Sequence, residues 1–346
     1  MPATLCCWVP SRLLTQKEVE ELNIRLNKNG GEFDFDMLAN EWNIDDLAQW
    51  GFSHEELGID SGDILDESGK DNESLEPGND EDALIKPGDL IEMNNHRLIC
   101  GDSTDKDLVK ILLNQAKPVL MVTDPPYGVE YDPSWRKDIK DKHGAGARAM
   151  GKVQNDDKID WTKAWENCSA DVAYVWHAGR FTSQLQSDLE KVGFEMVAQI
   201  IWAKQHFALS RGDYHWQHEP CWYAVRKGIK HNWQGARDQS TLWEISNLNA
   251  FGTSVEEDER TAHSTQKPLE CMSRPMRNNT QEGDLVYDPF LGSGTTLIAA
   301  QKLNRVCYGV ELSPAYCDII LKRWVKFMQE NGFEYTIKVN GEELEL

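Results

Sequence analysis

Residues 285–311, LVYDPFLGSGTTLIAAQKLNRVCYGVE, carry the pattern that decides the fold. The run LVYD at 285–288 has the length and composition of a buried strand. It breaks at Pro289 and enters a turn containing Gly292 and Gly294. Glycine has no Cβ, so such a turn can be tight and can approach a ligand closely. Residues 295–303 then read as a helix, and 306–311 as a second strand. Strand, glycine turn, helix and strand together form the repeating unit of an open α/β sheet. Glu311 follows Gly294 by 17 positions and ends its strand. An acidic residue about 20 positions beyond the glycines is where such sheets place an acceptor for ribose hydroxyls.

The glycine spacing narrows the ligand. A phosphate-cradling loop would need Gly-Lys-Ser/Thr, whereas this turn reads Gly-Ser-Gly-Thr without a lysine. A dinucleotide site would need a third glycine, and Ile298 and its neighbours supply none. A nucleoside without phosphates, such as S-adenosylmethionine, remains. Taken alone, the turn also fits an ordinary tight turn in an α/β protein.

The same alternation of strands and helices extends upstream. Residues 97–100 read as a strand entering Gly101-Asp102, 105–113 as a helix, and 118–123 (PVLMVT) as a continuous apolar strand. Such a run is expected of a parallel strand buried on both faces. Further strands are expected at 171–176, 194–202 and 220–225, with helices at 181–192 and 314–328. The apolar strand 118–123 runs directly into Asp124-Pro125-Pro126-Tyr127. In α/β sheets the carboxyl ends of strands line the ligand crevice, which places this tetrapeptide beside the presumed cofactor.

Its chemistry suits methylation of an exocyclic amine. The amine lone pair of adenine is shared with the ring, so the nitrogen is a poor nucleophile. A carboxylate can accept one amine hydrogen and later take the proton. A backbone carbonyl, held rigidly by the two prolines, can accept the other hydrogen. The base must first leave the duplex, and Tyr127 offers a ring face on which to stack it. By itself the tetrapeptide also reads as a loop corner. A third motif, His263-Ser264-Thr265-Gln266-Lys267-Pro268, precedes an amphipathic helix carrying Leu269, Met272 and Met276.

The net charge of −22 on 346 residues argues against a general nucleic-acid binder, but it is unevenly placed. Residues 54–92 hold 14 acidic and 2 basic side chains, and 93–346 hold 35 and 30. The larger part is therefore nearly balanced and can carry a local basic face. The segment 53–84 reads as an acidic linker between a helical segment, 1–52, and a main domain, 85–346. Eight cysteines are scattered, none in a Cys-x-x-Cys pair, which excludes a zinc ribbon or disulfide framework and fits a cytoplasmic protein. No signal peptide and no apolar run of membrane-spanning length is visible.

Together the motifs resemble the beta-class amino-methyltransferases of bacteria and phages. In that family D/S-P-P-Y comes first, then a variable target-recognition region, then H-x-T-Q-K-P, D-x-F-x-G-x-G-T and an acidic strand end. Here the order is DPPY at 124–127, HSTQKP at 263–268, DPFLGSGT at 288–295 and GVEL at 309–312, so the resemblance covers about 85–328. It implies a Rossmann-like methyltransferase fold, circularly permuted, with a mostly parallel seven-stranded sheet flanked by helices and one strand reversed. It implies S-adenosylmethionine as cofactor and DNA as partner. Phe290, Gly292, Gly294 and Thr295 would surround the methionine part, Glu311 would hold the ribose and Asp102 would lie near the adenine. Lys267 and Thr265 would support the cofactor or the DPPY loop, and Asp288 would shape the glycine turn. Asp rather than Ser at position 124 leans towards N6 of adenine over N4 of cytosine.

Residues 12–52 resemble the tail of a ParB-like domain. A helical appendage that packs on the enzyme or makes it a homodimer is the plainer reading. The expected target reader is 229–262, with Arg237, Gln239, Asn247 and Asn249 able to read base edges. The loop 128–158, with Arg136, Lys137, Lys140, Lys142, His143, Arg148 and Lys152, would meet phosphates. Both segments also fit polar surface loops. Two alternatives to the adenine enzyme stand: a cytosine-N4 enzyme of the same fold, and a catalytically silent DNA- or protein-binding relic.

Overall fold

The structure, a computed structural model, describes residues 78–126, 160–208, 214–245 and 267–345. The helical segment 1–52, the loop 128–158, Tyr127 and residues 246–266 lie outside them. The chain forms two compact units: 62–205 with 217–346, and 1–61 with 206–216. Nearly all of the second unit is outside the described residues.

The elements of the first unit, with the strands that extend from it, run β1 (Leu90–Met93), β2 (His96–Cys100), α1 (Lys106–Leu113), β3 (Leu120–Thr123), α2 (Thr162–Asn167), β4 (Val172–Trp176), α3 (Thr182–Lys191), β5 (Phe194–Ala208), β6 (Trp216–Arg226), β7 (Leu242–Glu244), α4 (Leu269–Asn279), β8 (Leu285–Asp288), α5 (Thr295–Lys302), β9 (Val306–Glu311), α6 (Pro314–Glu330), β10 (Ile337–Val339) and β11 (Glu342–Glu343). The sheet order is β11-β10-β1-β2-β9-β8-β3-β4-β6-β5-β7. The five central strands, β2, β9, β8, β3 and β4, are mutually parallel. β6 runs antiparallel to β4, which is the reversed strand the resemblance implied.

Every residue of β3 (LMVT) and β4 (VAYVW) is buried. That is what layers on both faces require of a parallel strand, and why these segments lack polar alternation. The largest core cluster joins Leu120, Val122, Tyr174, Trp176 and Val286 of the sheet to Met272, Met276, Leu297 and Trp324 of the helices. A second cluster joins Met121, Val175 and Tyr287 to Trp161, Trp165 and Leu189.

The described residues hold eleven strands where seven were expected. The central seven, β2 to β5 in sheet order, match the expectation. The additions are β1, β10 and β11 at one edge and β7 at the other, and each is four residues or fewer. Their turns set them in place: Asn94 has φ 51°, and Asn340 and Gly341 have φ 53° and 87°. Asn and Gly at such positions favour the tight hairpin between β10 and β11.

Helix ends follow capping chemistry. Asp105 accepts from the backbone N–H groups of Asp107 and Leu108 at the start of α1. Ser313 caps α6, whose first residue is Pro314. Asp80, in the last part of the acidic segment, accepts from Ser313 Oγ at 2.5 Å and from Ala315 N at 3.0 Å. Asp318 accepts from the amides of Leu84 and Ile85. Two carboxylates thus staple residues 80–85 to α6 and its cap.

Candidate active site

Four neighbouring parallel strands deliver a row of carboxylates to one edge of the sheet. Asp102 lies just past β2, Glu311 ends β9, Asp288 ends β8 and Asp124 follows β3. The register pairs Cys100 with Glu311 and Asp288 with Gly309, so the row follows from strand length alone.

Asp288 is buried. It accepts from Thr123 Oγ1 and Thr296 Oγ1, each at 2.6 Å, and from Phe290 N at 3.0 Å. Burial pushes its carboxyl up to about 6 in spite of these bonds. It braces the glycine turn against the end of β3. Gly292 and Gly294 have φ 56° and 86°, the left-handed region that glycine enters without steric cost. Gly294 leads into α5 and a Cβ there would meet Ile320 at 3.2 Å.

Glu311 reaches across this turn. Its two oxygens accept from Gly292 N at 2.8 Å and Ser313 N at 2.9 Å. Burial outweighs those bonds and raises the carboxyl to about 7. Asp102 accepts from the amide and hydroxyl of Thr104, both at 2.8 Å. The cation behind the turn, Arg323, donates to Ser293 O and Thr295 Oγ1.

Phe290 extends from the turn into an aromatic group. Trp161 and Trp165, one turn apart on and before α2, present to it at 4.7 Å and 5.7 Å between centroids, both edge-on. Trp161 also donates its indole N–H to Pro126 O at 3.2 Å. These tryptophans are absent from the motif set. Their only local signal is the i, i+4 spacing, which is equally that of a core helix.

At Asp124 the site becomes ionic. Lys267 Nζ is 2.7 Å from Asp124 Oδ2 and 2.7 Å from Glu219 Oε2. Glu219 Oε1 is in turn 2.6 Å from Lys204 Nζ. Lys267 is 5% exposed. Burial disfavours its ammonium, but Asp124 and Glu219 outweigh burial and hold it above the ordinary lysine range. Burial likewise opposes ionisation of Glu219, but Lys267 and Lys204 bring its carboxyl down to about 2. The reversed strand explains the geometry: running against β4, β6 brings its early residue Glu219 to the edge where the parallel strands end. Glu219 and Lys204 were not among the expected site residues.

Of the expected target reader, 229–245 is described. Arg237 is exposed, but Gln239 exchanges two 2.8 Å bonds with Asn278 of α4. Asn232 donates to Asn279 O, and Asn279 donates to His231 O. The first half of the segment is thus tied to α4 through its amides, and the Gln239 amide is engaged there. Tyr127, His263, Thr265, Asn247 and Asn249 lie outside the described residues.

A parallel sheet with a glycine turn after one strand, an acidic end on the next and an Asp-Pro-Pro corner on a third defines the Rossmann-like methyltransferase class. The family model of N6/N4 methyltransferases, described as DNA methylase, matches residues 119–322. The chain belongs to that family and is a DNA methyltransferase of the N6-adenine/N4-cytosine class. It is 24% identical over 245 residues to Type II methyltransferase M.HinfI of Haemophilus influenzae, covering 65% of this chain and 67% of that one. It is 26% identical over 240 residues to Type II methyltransferase M2.DpnII of Streptococcus pneumoniae, covering 61% and 85%. Among solved structures, the M1.HpyAVI–SAM complex aligns with 65% of this chain and 98% of its own, at 24% identity and a TM-score of 0.48. Among the described residues no helix is long and apolar enough to cross a membrane, and no group of His, Cys, Asp and Glu could hold a metal ion.

Proposed function

We propose that the chain transfers a methyl group from S-adenosylmethionine to N6 of adenine in DNA. The observation that carries the reading is Asp124, a carboxylate at the end of β3 fixed by Lys267 at 2.7 Å. Asp124 accepts one hydrogen of the target amine, and a carbonyl of the Pro125-Pro126 corner accepts the other. The nitrogen lone pair is thereby freed from the ring. The cofactor supplies a methyl group bonded to a sulfonium, an electrophile whose leaving group is a neutral thioether. The amine nitrogen gains the methyl group, and the proton it sheds passes to Asp124 and on to water. Tyr127 stacks the flipped base.

The residues around the glycine turn suit this cofactor. Phe290 and its two tryptophans offer an apolar wall, and Glu311 offers a carboxylate for ribose hydroxyls. Arg323 is engaged with Ser293 and Thr295 of the turn itself. Among the described residues, Ser103 Oγ, beside Asp102, and Trp165 Nε1, against Phe290, are buried without a hydrogen-bond partner. Asp102, Gly292, Gly294 and Thr295 complete the proposed cofactor contacts, with Asp288 and Lys267 bracing them. The segment 229–262 and the basic loop 128–158 read the target and grip its backbone.

Incubating DNA with the protein and S-adenosylmethionine, then digesting it to nucleosides, tests the reading. N6-methyladenine is expected. N4-methylcytosine in its place moves the substrate to cytosine, and the absence of both products overturns the catalytic reading.

A further inference from the structure

We propose that Glu219 is a positioning residue for methyl transfer, acting through Lys267 to set the charge and orientation of Asp124. The inference rests on Asp124 being the amine acceptor. Its basis is a four-membered chain of alternating charge, Asp124–Lys267–Glu219–Lys204, with contacts of 2.7, 2.7 and 2.6 Å. The four residues come from the corner after β3, the start of α4, β6 and β5. Their side chains are 19%, 5%, 21% and 21% exposed. Two tryptophans line the chain: Lys267 lies 5.8 Å from the Trp176 ring and Lys204 lies 5.0 Å from the Trp202 ring.

A buried ammonium paired with Asp124 alone would hold that carboxylate tightly and make it a poor acceptor for an amine hydrogen. With Glu219 on its other side, Lys267 is shared between two carboxylates. It then fixes Asp124 through one oxygen without neutralising it. Lys204 balances the second carboxylate, so the chain sums to zero charge. A structural ion pair would need only two of these groups, and withdrawing four partly from water carries a desolvation cost.

Two other described titratable groups near the chain, Asp288 and Glu270, are carboxyls, but Asp288 is held by Thr123 and Thr296 and Glu270 is paired with Arg274 and Arg277; the rest carry no charge at neutral pH. Cys221 on β6 and Cys271 on α4 are thiols at neutral pH, because burial pushes both well up. His177, past β4, is brought down to about 4 by burial and by Lys267. Asp288, on β8, faces Asp124 from the other side, and Glu270 lies on α4 near Cys271.

The test is single-turnover methylation with saturating cofactor. Glu219→Gln keeps shape and removes charge. It is expected to slow transfer about 10–100-fold, as loss of alignment does, while cofactor affinity stays close to wild type and the thermal midpoint falls, because Lys267 loses one of its two partners. Glu219→Asp keeps the charge and is expected to recover part of the rate. Lys267→Met leaves two facing carboxylates, so adding Glu219→Gln to it is expected to raise its rate about 10-fold through non-additive coupling. A Glu219→Gln enzyme at wild-type rate overturns the proposal. So does a Glu219→Asp enzyme no better than Glu219→Gln, or a double variant whose loss is the product of the single losses. Asp124→Ala, measured alongside, separates the two levels: transfer that persists there defeats the Asp124 reading itself.

Discussion

The indole nitrogen of Trp161 donates to the carbonyl of Pro126 at 3.2 Å, across the whole loop that separates them in sequence. The Asp-Pro-Pro corner is therefore held at both ends, by Lys267 on Asp124 and by Trp161 on Pro126. The same indole touches Phe290 of the glycine turn. One side chain thus links the proposed catalytic corner to the proposed cofactor wall.

Trp161→Phe keeps a ring against Phe290 and removes the donor. The stability loss is expected to be about 2–3 kcal/mol, one hydrogen bond plus the cavity left by the smaller buried ring. The transfer rate is expected to fall about 10-fold or more, because the corner loses one restraint, with cofactor affinity little changed. Single-turnover methylation beside a cofactor titration measures both. A variant that loses affinity and keeps its rate would show that Trp161 serves only the cofactor wall.

The motifs made much of this edge legible in advance. β3, β8 and β9 are continuous apolar runs ending in Asp or Glu, so strand ends and acidic residues could be placed together from sequence. Glu219 and Lys204 could not. Glu219 pairs with Lys267 and with Lys204, 48 and 15 residues away, and ion pairs between separate strands leave no periodic trace in the chain. Gln239 shows the converse: its side chain suits base reading, but Asn278, 39 residues away, engages it. Strands of two to four residues, such as β11 and β1, are too short to show a two-residue period.

The Glu311 carboxyl, raised to about 7 by burial, titrates near neutrality in the ligand-free protein. Its ionised form is the better acceptor for ribose hydroxyls. Cofactor affinity is therefore expected to weaken as pH falls through about 7, and Glu311→Gln to bind more weakly with a flat pH profile. Calorimetric titration between pH 6 and 8 measures this. A wild-type profile as flat as the variant's would remove Glu311 from the ribose role.

Gly294→Ala tests the turn. A non-glycine residue in the left-handed region costs about 1–2 kcal/mol, and the added Cβ meets buried Ile320 at 3.2 Å. Both a lower thermal midpoint and weaker cofactor binding are expected. Loss of stability with unchanged binding would mean that the turn serves the fold alone.

His96 couples folding to pH. Its Nδ1 faces the backbone N–H of Cys307 at 2.9 Å, so Nδ1 must accept, and Nε2–H donates to Gln301 Oε1. The ring is thereby fixed as neutral. Protonation would break the Cys307 bond and bury a charge, and burial accordingly lowers its pKa from 6.5 to about 4. Between these values the unfolded chain binds more protons than the folded one, so stability rises with pH. The contribution is present above pH 6.5 and is lost as pH falls towards 4, to the extent of about 3 kcal/mol. Asp288 and Glu311, whose folded values are raised, act in the opposite direction over part of the same range. Comparing His96→Gln with wild type separates the two. Denaturant unfolding from pH 7 to pH 4.5 is expected to show a smaller loss on acidification in the variant. Equal losses in the two proteins would mean that another group governs acid sensitivity.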